Sequence, residues 1–554
     1  MPAANDSKCS PSTAVTERYA PPSALPAWAA LQAHAERLAG IRITTLFERD
    51  AERPQRFTLE HDGLLADFSK QRLDDAVQRE LLALAEQAGL SQGIRALFAG
   101  AQVNFTEERP ALHMALRGGA ATPDADQSAL QESDARLRTF ARSIREGQAR
   151  GSSGARIRHV INLGIGGSDL GPRMVCEALA PTGNPSLRVS FVANIDPQEL
   201  DAALCEAEPA STLFIVSSKS FSTLETLANA RAARAWLRAG LGADADTAAH
   251  FAAVSNRADL AAEFGIAADR VFAVPAWVGG RFSVWSAVGL PVLIALGETG
   301  FDALLAGARS IDEHFRDAPL SHNLPVMLGL IGLWNSNFLG IGDLAALPYA
   351  HGLRNFPAWL QQLEMESNGK QCHRDGSTVA FDTAAVVFGH AGTVGQHAFH
   401  QLLYQGTRTI AADFIVPVMA HDERSRALYE NALAQSEALM CGRDLAGART
   451  GLLAAGHSSQ AADRLAPHLV CPGNQPSTTL LLAGLTPRTL GQLLALYEHK
   501  TFVQGWIWGI NSFDQYGVEL GKEMARRLSA PDGSQPHPST AALLAAITRM
   551  READ

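Results

Sequence analysis

Two glycine- and serine-rich segments each follow a strand-like run directly, a position suited to holding an anion. GIGGSDLGP (164–172) follows HVINL, and SSKSFSTLET (217–226) follows TLFIV. Glycines let the backbone approach a ligand closely, and the N-terminus of a following helix offers free N–H groups. The second segment adds six hydroxyls and Lys219 within ten residues. It therefore favours a phosphate cradle over an ordinary helix-cap cluster, whereas a plain tight turn is the alternative for the first.

Two further segments contain side chains that could act on a bound substrate. In GGRFSVWSAVGL the glycines leave Arg281 room to reach into a cleft, where a guanidinium could stabilise an oxyanion. QQLEMESNGK brings Glu364, Glu366 and Lys370 close together, so that one of the carboxylates could serve as a general base. For both segments an ordinary exposed charge is the alternative interpretation.

Histidine and lysine side chains near the C-terminal end of the chain raise two more possibilities. GQHAFHQLLYQGT places His397 and His400 at i, i+3 on one face of a predicted helix, a spacing that could suit a metal. The HExxH pattern is missing and no acidic residue intervenes, so we expect no metal and interpret the pair as one functional and one packed histidine. Lys522 follows Gly521 at the end of a polar turn, where it could face a cleft.

A dinucleotide site is disfavoured by the glycine segment itself. The G-x-G-x-x-G fingerprint fails because its third glycine position holds Asp169, and the G-x-x-x-x-G-K-[ST] pattern is absent. We therefore expect no cofactor. A dinucleotide-dependent oxidoreductase stays open as a rival that a nicotinamide absorbance assay would test.

The composition excludes some classes of partner. The 554 residues carry 47 basic and 57 acidic side chains, a net charge of −10, which argues against general affinity for nucleic acid or anionic membranes. The six cysteines are scattered without a CxxC pair, as is typical of free thiols in a reducing compartment. The N-terminus has no basic patch before an apolar stretch, and apolar runs such as 324–334 are shorter than the roughly 18 residues of a membrane span. We therefore expect a cytoplasmic protein.

The strand-like runs must position these segments, and they alternate with helical patterns. HVINLGI, VSFVANI, TLFIVSS and RVFAVP form one set, and TVAFDTAAVVFG, TIAADFIVPVM and TTLLLAG form a second. This βαβ pattern predicts an α/β fold with two doubly wound parallel sheets. Ser539 and Thr540 are predicted N-caps of a last helix. The predicted division is a flexible N-terminal arm (1–26), a mainly helical segment packing on the second domain (27–124), a first and smaller α/β domain (125–290), a second and larger one (291–525), and a C-terminal tail with a helix (526–554).

Taken together, the segments closely resemble the glucose-6-phosphate isomerase family. GGRFSVWS and FDQYGVELGK match the family's two most diagnostic stretches, and GIGGSDLGP, SKSFST, MESNGK and GQHAF occur in the family's order. The resemblance runs from about residue 105 to Lys522. Departures are mild: Ser220 and Ser222 stand where threonine is common, and His400 where an aromatic residue is common.

The resemblance implies a homodimer of two sugar-isomerase-type (SIS) domains that converts an aldose phosphate to a ketose phosphate without a cofactor. Glu366 resembles the base that moves a proton between C2 and C1, and Arg281 the group that steadies the enediolate. His397, contributed across the interface and oriented by Glu225, resembles the ring-opening partner of Lys522. The residues similar to the family's phosphate and sugar contacts are Gly167, Ser168, Ser218, Lys219, Ser220, Thr223, Gln362 and Gln515.

Two other possibilities stay open on the sequence. A non-catalytic sugar-phosphate sensor would need the hydroxyl cradle but not Glu366, Arg281 and Lys522 together. An isomerase relaxed toward mannose 6-phosphate would keep the same residues.

Overall fold

Short strands form two separate sheets in the computed structural model, which describes residues 20–418, 422–529 and 536–552. In chain order the strands are β1 (Thr58–His61), β2 (Leu64–Asp67), β3 (His159–Leu163), β4 (Arg188–Val192), β5 (Thr212–Ser217), β6 (Phe251–Val254), β7 (Val271–Phe272), β8 (Asp343–Pro348), β9 (Val386–Gly389), β10 (Ala411–Pro417) and β11 (Ser477–Leu482).

Helices connect the strands and cover the sheets. The α-helices are α1 (Pro26–Leu38), α2 (Ile43–Arg49), α3 (Arg53–Arg56), α4 (Asp75–Gln87), α5 (Leu90–Phe98), α6 (Asp124–Arg145), α7 (Leu170–Ala178), α8 (Pro197–Cys205), α9 (Leu224–Leu241), α10 (Ala258–Glu263), α11 (Leu290–Asp317, broken at Gly297), α12 (Leu324–Leu333), α13 (Phe356–Gln361), α14 (Gly392–Gln396), α15 (His400–Gln405), α16 (Glu423–Cys441), α17 (Leu445–Ala454), α18 (Ser459–Leu465), α19 (Pro487–Trp508), α20 (Glu519–Ser529) and α21 (Pro538–Glu552). Two π-helical turns, Trp334–Phe338 and Gln362–Glu366, extend α12 and α13.

The first sheet is five-stranded and entirely parallel, in the order β4-β3-β5-β6-β7. Every residue of β3 and β5 is buried, which explains why both read in the sequence as continuous apolar runs. The chain adds β4 on one side of β3 and then returns to the other side with β5. The crevice beyond the carboxyl ends of β3 and β5 is therefore a topological switch point, where open α/β sheets bind ligands.

The second sheet is six-stranded, in the order β1-β2-β11-β10-β8-β9. Its last four strands in this order are parallel, as predicted, but β1 and β2 form an antiparallel hairpin that adds to β11. The segment predicted as mainly helical thus also supplies one edge of this sheet. Both sheets confirm the predicted α/β class.

The helix α19 is buried along most of its length and packs against α11 and α12. Its start is fixed by a reciprocal capping box between Thr486 and Thr489 with Pro487 in the first turn, and its end by Gly509 at φ 68°. By length and composition alone, 287–317 could span a membrane, but 61% of its apolar window is buried within the protein and it is broken at Gly297. Such a stretch is equally typical of a core helix.

The chain divides into two units, one ending at Ser512 and one beginning at Phe513. Both sheets belong to the first unit. The second contains α20 and α21, neither of which has a buried residue. The last helix begins at Pro538, so the predicted caps Ser539 and Thr540 lie inside its first turn, and that prediction is wrong. Of the predicted N-terminal arm, residues 1–19 lie outside the described residues.

Candidate active site

The glycine loop after β3 lies against the segment that contains Arg281. Gly166 has φ +61°, a backbone conformation that side-chain-bearing residues rarely adopt. A Cβ on Gly167 would lie 2.0 Å from the carbonyl oxygen of Gly280, closer than any side chain allows. The loops after β3 and β7 therefore touch at two glycines, and this contact fixes Ser168 and Arg281 relative to each other.

The hydroxyl loop after β5 borders a cleft of about 460 Å³ at the same sheet edge. Ser218 Oγ lies 3.1 Å from Thr223 Oγ1, and Ser220 Oγ lies 2.7 Å from Ser222 Oγ. Thr223 makes no side-chain capping bond to α9, so its hydroxyl leaves the N–H groups of that helix available. The cleft is lined by Ile165, Gly167, Ser168, Ser217, Ser218, Lys219, Ser220, Thr223, Asn256, Arg257 and Gly280.

Lys219 supplies a cation to this cleft. Its ammonium donates to the carbonyl oxygens of Pro275, Ala276 and Val278 at 3.4, 3.3 and 3.2 Å. Burial lowers the pKa of Lys219, and the positive charge of Arg109 lowers it further. A phosphate dianion in the cleft would favour the charged ammonium, so binding and protonation of Lys219 support each other.

Asn162 joins the glycine loop to the hydroxyl loop, and the sequence analysis did not single it out. It is fully buried within β3, its Nδ2 donates to the carbonyl oxygen of Ser168 at 2.9 Å, and its Oδ1 accepts from Ser217 Oγ at 2.7 Å. One amide therefore holds both sides of the switch point. The available signal was a polar residue in the middle of the apolar run HVINL. Asn256 and Arg257, which follow β6, were missed because β6 itself was not predicted.

Arg281 faces Glu366 across the site. Its Nη1 lies 3.4 Å from Glu366 Oε2, its Nε donates to Ser367 Oγ at 2.6 Å, and its Nη2 donates to the carbonyl oxygen of Ser512 at 2.6 Å. The Arg281 side chain is 2% exposed, whereas that of Glu366 is 23% exposed. A rigid guanidinium beside an accessible carboxylate is an arrangement suited to proton transfer with oxyanion stabilisation.

The structure separates the two carboxylates that their spacing left as alternatives and of which the family resemblance indicates Glu366. Glu364 is buried and accepts a hydrogen bond from Lys500 Nζ at 2.5 Å, so it is already engaged in the core. Glu366 lies two residues further along the π-helical turn, beside Arg281. Lys370 is engaged too, because its ammonium donates to the carbonyl oxygens of Glu366 and Ser367 at 2.9 and 2.7 Å. Of the two carboxylates, Glu366 is the one placed to meet a substrate.

Gln362 opens the same π-helical turn and reaches the glycine loop. Its Nε2 lies 3.1 Å from the position that a Cβ on Gly166 would occupy. The structure thus brings together Gly167, Ser168, Gln362, Glu366 and Arg281, in contact with the hydroxyl cleft.

Two predicted residues of the first unit are not joined to this group by any described contact. Glu225 is half-buried in the first turn of α9 and has no hydrogen bond or ion pair to another described side chain. His397 is exposed and lies between α14 and α15, so it does not share a helix with His400 as predicted. Lys522 and Gln515 belong to the second unit, where Lys522 lies within α20 rather than in a turn and pairs with Glu519 at 2.8 Å.

Asp169, at the end of the glycine loop, is an unusual acid. It is buried, and its carboxylate is bound by Arg173 at 2.9 Å. Burial raises the pKa of Asp169 to about 6, although Arg173 acts in the opposite direction. The sequence analysis used Asp169 only to argue against a dinucleotide site.

Sequence and structure comparisons now identify the family. The family model described as phosphoglucose isomerase matches residues 67–544. The chain belongs to the phosphoglucose isomerase family. The resemblance inferred from the motifs is thereby confirmed.

Individual relatives of this family match nearly the whole chain. A glucose-6-phosphate isomerase of Aromatoleum aromaticum is 62% identical over 539 residues, which cover 97% of this chain and 99% of that protein. One from Marinomonas sp. is 45% identical over 542 residues, covering 95% and 99%. The crystal structure of a glucose-6-phosphate isomerase from Chlamydia trachomatis has a TM-score of 0.83 at 32% identity and covers 96% of this chain and all of that one.

Proposed function

We propose that this chain reversibly converts D-glucose 6-phosphate to D-fructose 6-phosphate, in glycolysis and gluconeogenesis, through ring opening and a cis-enediolate. The family assignment supports the reaction, and the relatives that match nearly the whole chain carry that name. The observation that carries the mechanism is the 3.4 Å approach of Arg281 to the accessible carboxylate of Glu366, beside a hydroxyl-lined cleft.

The phosphate binds in the cleft after β5. Ser218, Ser220 and Thr223 supply hydroxyls, Lys219 supplies charge, and the N-terminus of α9 supplies N–H groups. Gly167, Ser168, Gln362 and Gln515 contact the sugar. This anchor at one end of the substrate fixes where C1 and C2 lie, which converts binding into orientation of the reacting carbons.

Ring opening comes first, because sugar phosphates are mainly closed. Lys522 and His397 exchange protons with the ring oxygen and the anomeric hydroxyl, and Glu225 orients the imidazole. We propose that the protein is a homodimer and that His397 acts in the site of the other subunit. The exposure of His397 and the absence of a hydrogen bond from its imidazole to another described residue support this placement.

Glu366 then removes the proton from C2 and returns it to C1. A positioned base contributes roughly 10²- to 10⁴-fold to the rate. Arg281 stabilises the oxyanion of the enediolate, for which a well-placed donor contributes about 2.7–4 kcal/mol. Because Arg281 is held by Ser367 and the Ser512 carbonyl, little reorganisation is needed when that charge develops.

Replacing the base tests the proposal most directly. In Glu366→Gln we expect kcat to fall by at least about 10³-fold, because the amide cannot accept the proton, while fructose 6-phosphate still binds. Isomerisation is measured by a coupled assay for glucose 6-phosphate, with a chelator control, and loss of C2 tritium to water is measured in parallel. Tritium loss near the wild-type rate in the variant would falsify the assignment of the base.

The ring-opening assignment has its own test. His397→Ala is expected to reduce kcat/KM for the closed-ring substrate more than that for an open-chain analogue. Equal losses on both substrates would remove His397 from ring opening and leave the base assignment intact.

We also propose the coarser properties that the family suggests. The protein acts in the cytoplasm, with the arm at 1–26, the N-terminal segment at 27–124, the two SIS domains at 125–290 and 291–525, and the tail at 526–554. The first sheet lies within 125–290 and the parallel strands of the second lie within 291–525, which supports these two domains, whereas β1 and β2 of 27–124 complete the second sheet.

A further inference from the structure

A buried ion pair lies directly behind the carboxylate that faces the substrate. Gln362 and Glu366, four residues apart, both face the glycine loop and Arg281, whereas Glu364 between them points into the core. A π-helical turn is rare and is often found at functional sites. Because Glu364 and Glu366 belong to the same turn, the contact that fixes Glu364 also sets the direction of Glu366.

Glu364 is held by a rigid partner. Lys500 Nζ donates to Glu364 Oε1 at 2.5 Å, and both residues are only 3% exposed. Lys500 lies near the middle of α19, whose two ends are capped. The pair therefore connects the π-helical turn to α19, a largely buried helix that is capped at both ends.

The ion pair borders a small cavity of about 40 Å³, which is also lined by the other π-helical turn, Trp334–Phe338. Asn335 and Ser336 of that turn line it, and Asn335 Oδ1 and Ser336 Oγ have no hydrogen-bond partner among the described residues. Asp413 lines it too and accepts from Tyr497 at 2.8 Å, and burial raises the pKa of Asp413. The cavity is large enough for water and mixes polar side chains with apolar ones such as Leu328 and Ile331, so the pair has polar groups as well as apolar surface around it.

Stability alone does not explain such a pair. Removing two charges from water is costly, and buried ion pairs can often be replaced by apolar residues without loss of stability. What an apolar pair cannot supply is direction, since a carboxylate and an ammonium at 2.5 Å fix one arrangement of the two segments.

We infer that Glu364 and Lys500 are positioning residues, which hold the π-helical turn so that Glu366 meets the substrate carbons in register. The inference rests on the proposed role of Glu366. It predicts that breaking the pair leaves phosphate binding intact and disturbs proton transfer.

Four variants of the full-length protein test this: Glu364→Gln, Glu364→Asp, Lys500→Met and the double variant Glu364→Gln/Lys500→Met. Substrate labelled with tritium at C2 reports kcat, KM and the fraction of label that reaches C1 rather than water. We expect kcat to fall roughly 10- to 100-fold, KM to change less than about threefold, and the transferred fraction to change, because a displaced base loses orientation.

The double variant separates positioning from stability. Removing both charges should restore much of the thermal stability lost in the single variants, yet kcat and the transferred fraction should stay altered. Recovery of kcat together with stability would overturn the inference. Should the single variants not fold, Glu364→Asp keeps the charge with a shorter reach, and wild-type kcat in that variant would overturn the inference equally.

A matched control removes a different buried acid. Asp312, on α11, is bound by Arg117 at 2.6 and 2.7 Å and is fully buried. Asp312→Asn should lower stability but leave the transferred fraction as in wild type, and a change as large as that in Glu364→Gln would count against a specific role. Glu366→Gln distinguishes failure of the base assignment from failure of the positioning role. If this variant still exchanges C2 tritium, the base assignment fails, whatever the Glu364 variants show.

Discussion

The parallel strands of the two sheets follow the same order, but the residues at their carboxyl edges differ. In each, the chain adds a strand on one side of the first parallel strand and then returns to the other side, so that β3 meets β5 and β8 meets β10. At the first edge the strands run into the glycines of 164–168 and the hydroxyls of 218–223. At the second, β8 runs into the buried ring of Tyr349 and β10 ends at Pro417. The same order of parallel strands thus offers two crevices, of which the first is lined by glycines and by serine and threonine hydroxyls.

The second sheet contributes differently. Between β8 and β9 it supports α13 and the π-helical turn that carries Glu366. In the proposed mechanism one sheet binds the anion and the other holds the base, and Arg281 joins them. Strand order determines where a site can lie, whereas the loop residues determine which site carries chemistry.

Of the variants that test this comparison, Arg281→Gln is expected to have the largest effect, because Arg281 lies between the proposed anion site and the proposed base. We expect Arg281→Gln to lower kcat by about 10²- to 10³-fold through loss of oxyanion stabilisation. Steady-state kinetics in both directions measures this. A loss confined to KM would mean that Arg281 belongs to the anion-binding half alone.

Variants of the hydroxyl loop after β5 should change KM rather than kcat. Ser218→Ala/Thr223→Ala removes two hydroxyls from the cleft, and we expect KM to rise roughly 10- to 100-fold, since a hydrogen bond to a charged group contributes about 1.5–3 kcal/mol. The matched control is Thr479→Val on β11, a buried hydroxyl in the other sheet that has no hydrogen-bond partner among the described residues. If both variants raise KM equally, the two sheets do not differ as described.

Replacing Asn162 should affect only the first sheet, where this residue connects the loops that follow β3 and β5. In Asn162→Leu the Ser168 carbonyl and the Ser217 hydroxyl lose their partner, so we expect KM to rise about tenfold and the free energy of unfolding to fall by about 1–3 kcal/mol. Asn229→Leu is the control, because that buried amide donates to the Asn194 carbonyl at 2.7 Å instead. It should lose stability with an unchanged KM, and a wild-type KM in Asn162→Leu would show that the loops hold their positions without it.

Asp169 gives the smallest effect and tests the charge at the first edge. Its pKa is raised to about 6 by burial, so between about pH 4 and 6 the folded state keeps a proton that the unfolded state has lost. The stability contribution of this group therefore falls as pH rises through that window. Relative to Asp169→Asn, the wild-type free energy of unfolding should decrease by about 1 kcal/mol between pH 5 and 7.5. Urea unfolding measures the difference, and a pH-independent gap would contradict the raised pKa.

The parts of the fold that could be predicted are those with a strong local pattern. β3 and β5 are buried on both faces and rich in β-branched residues, so their runs were recognised. β6 (FAAV) and β8 (DLAALP) consist largely of alanine and leucine, which suit helices equally, and they become strands only through their neighbours in the sheet. The β1–β2 hairpin escaped prediction because it pairs with β11, more than 400 residues away.

For the site, the motifs predicted the glycine loop, Glu366 and Arg281, which the structure brings together, but not the contacts that hold them. The contact between Gly167 and Gly280 and the bonds of Asn162 depend on tertiary packing. So does the choice between Glu364 and Glu366, since the partner of Glu364 lies 136 residues further along the chain. Spacing alone treats the two acids as equivalent.

The five residues of the π-helical turn at Gln362–Glu366 also limit how this segment can change length. Deleting one residue there would restore the tighter hydrogen-bond spacing of an α-helix and rotate everything that follows by about 100°. Glu366 would then leave the side of the helix that faces the sugar. A deletion in this stretch would therefore move Glu366 away from Arg281 even where every other residue is unchanged.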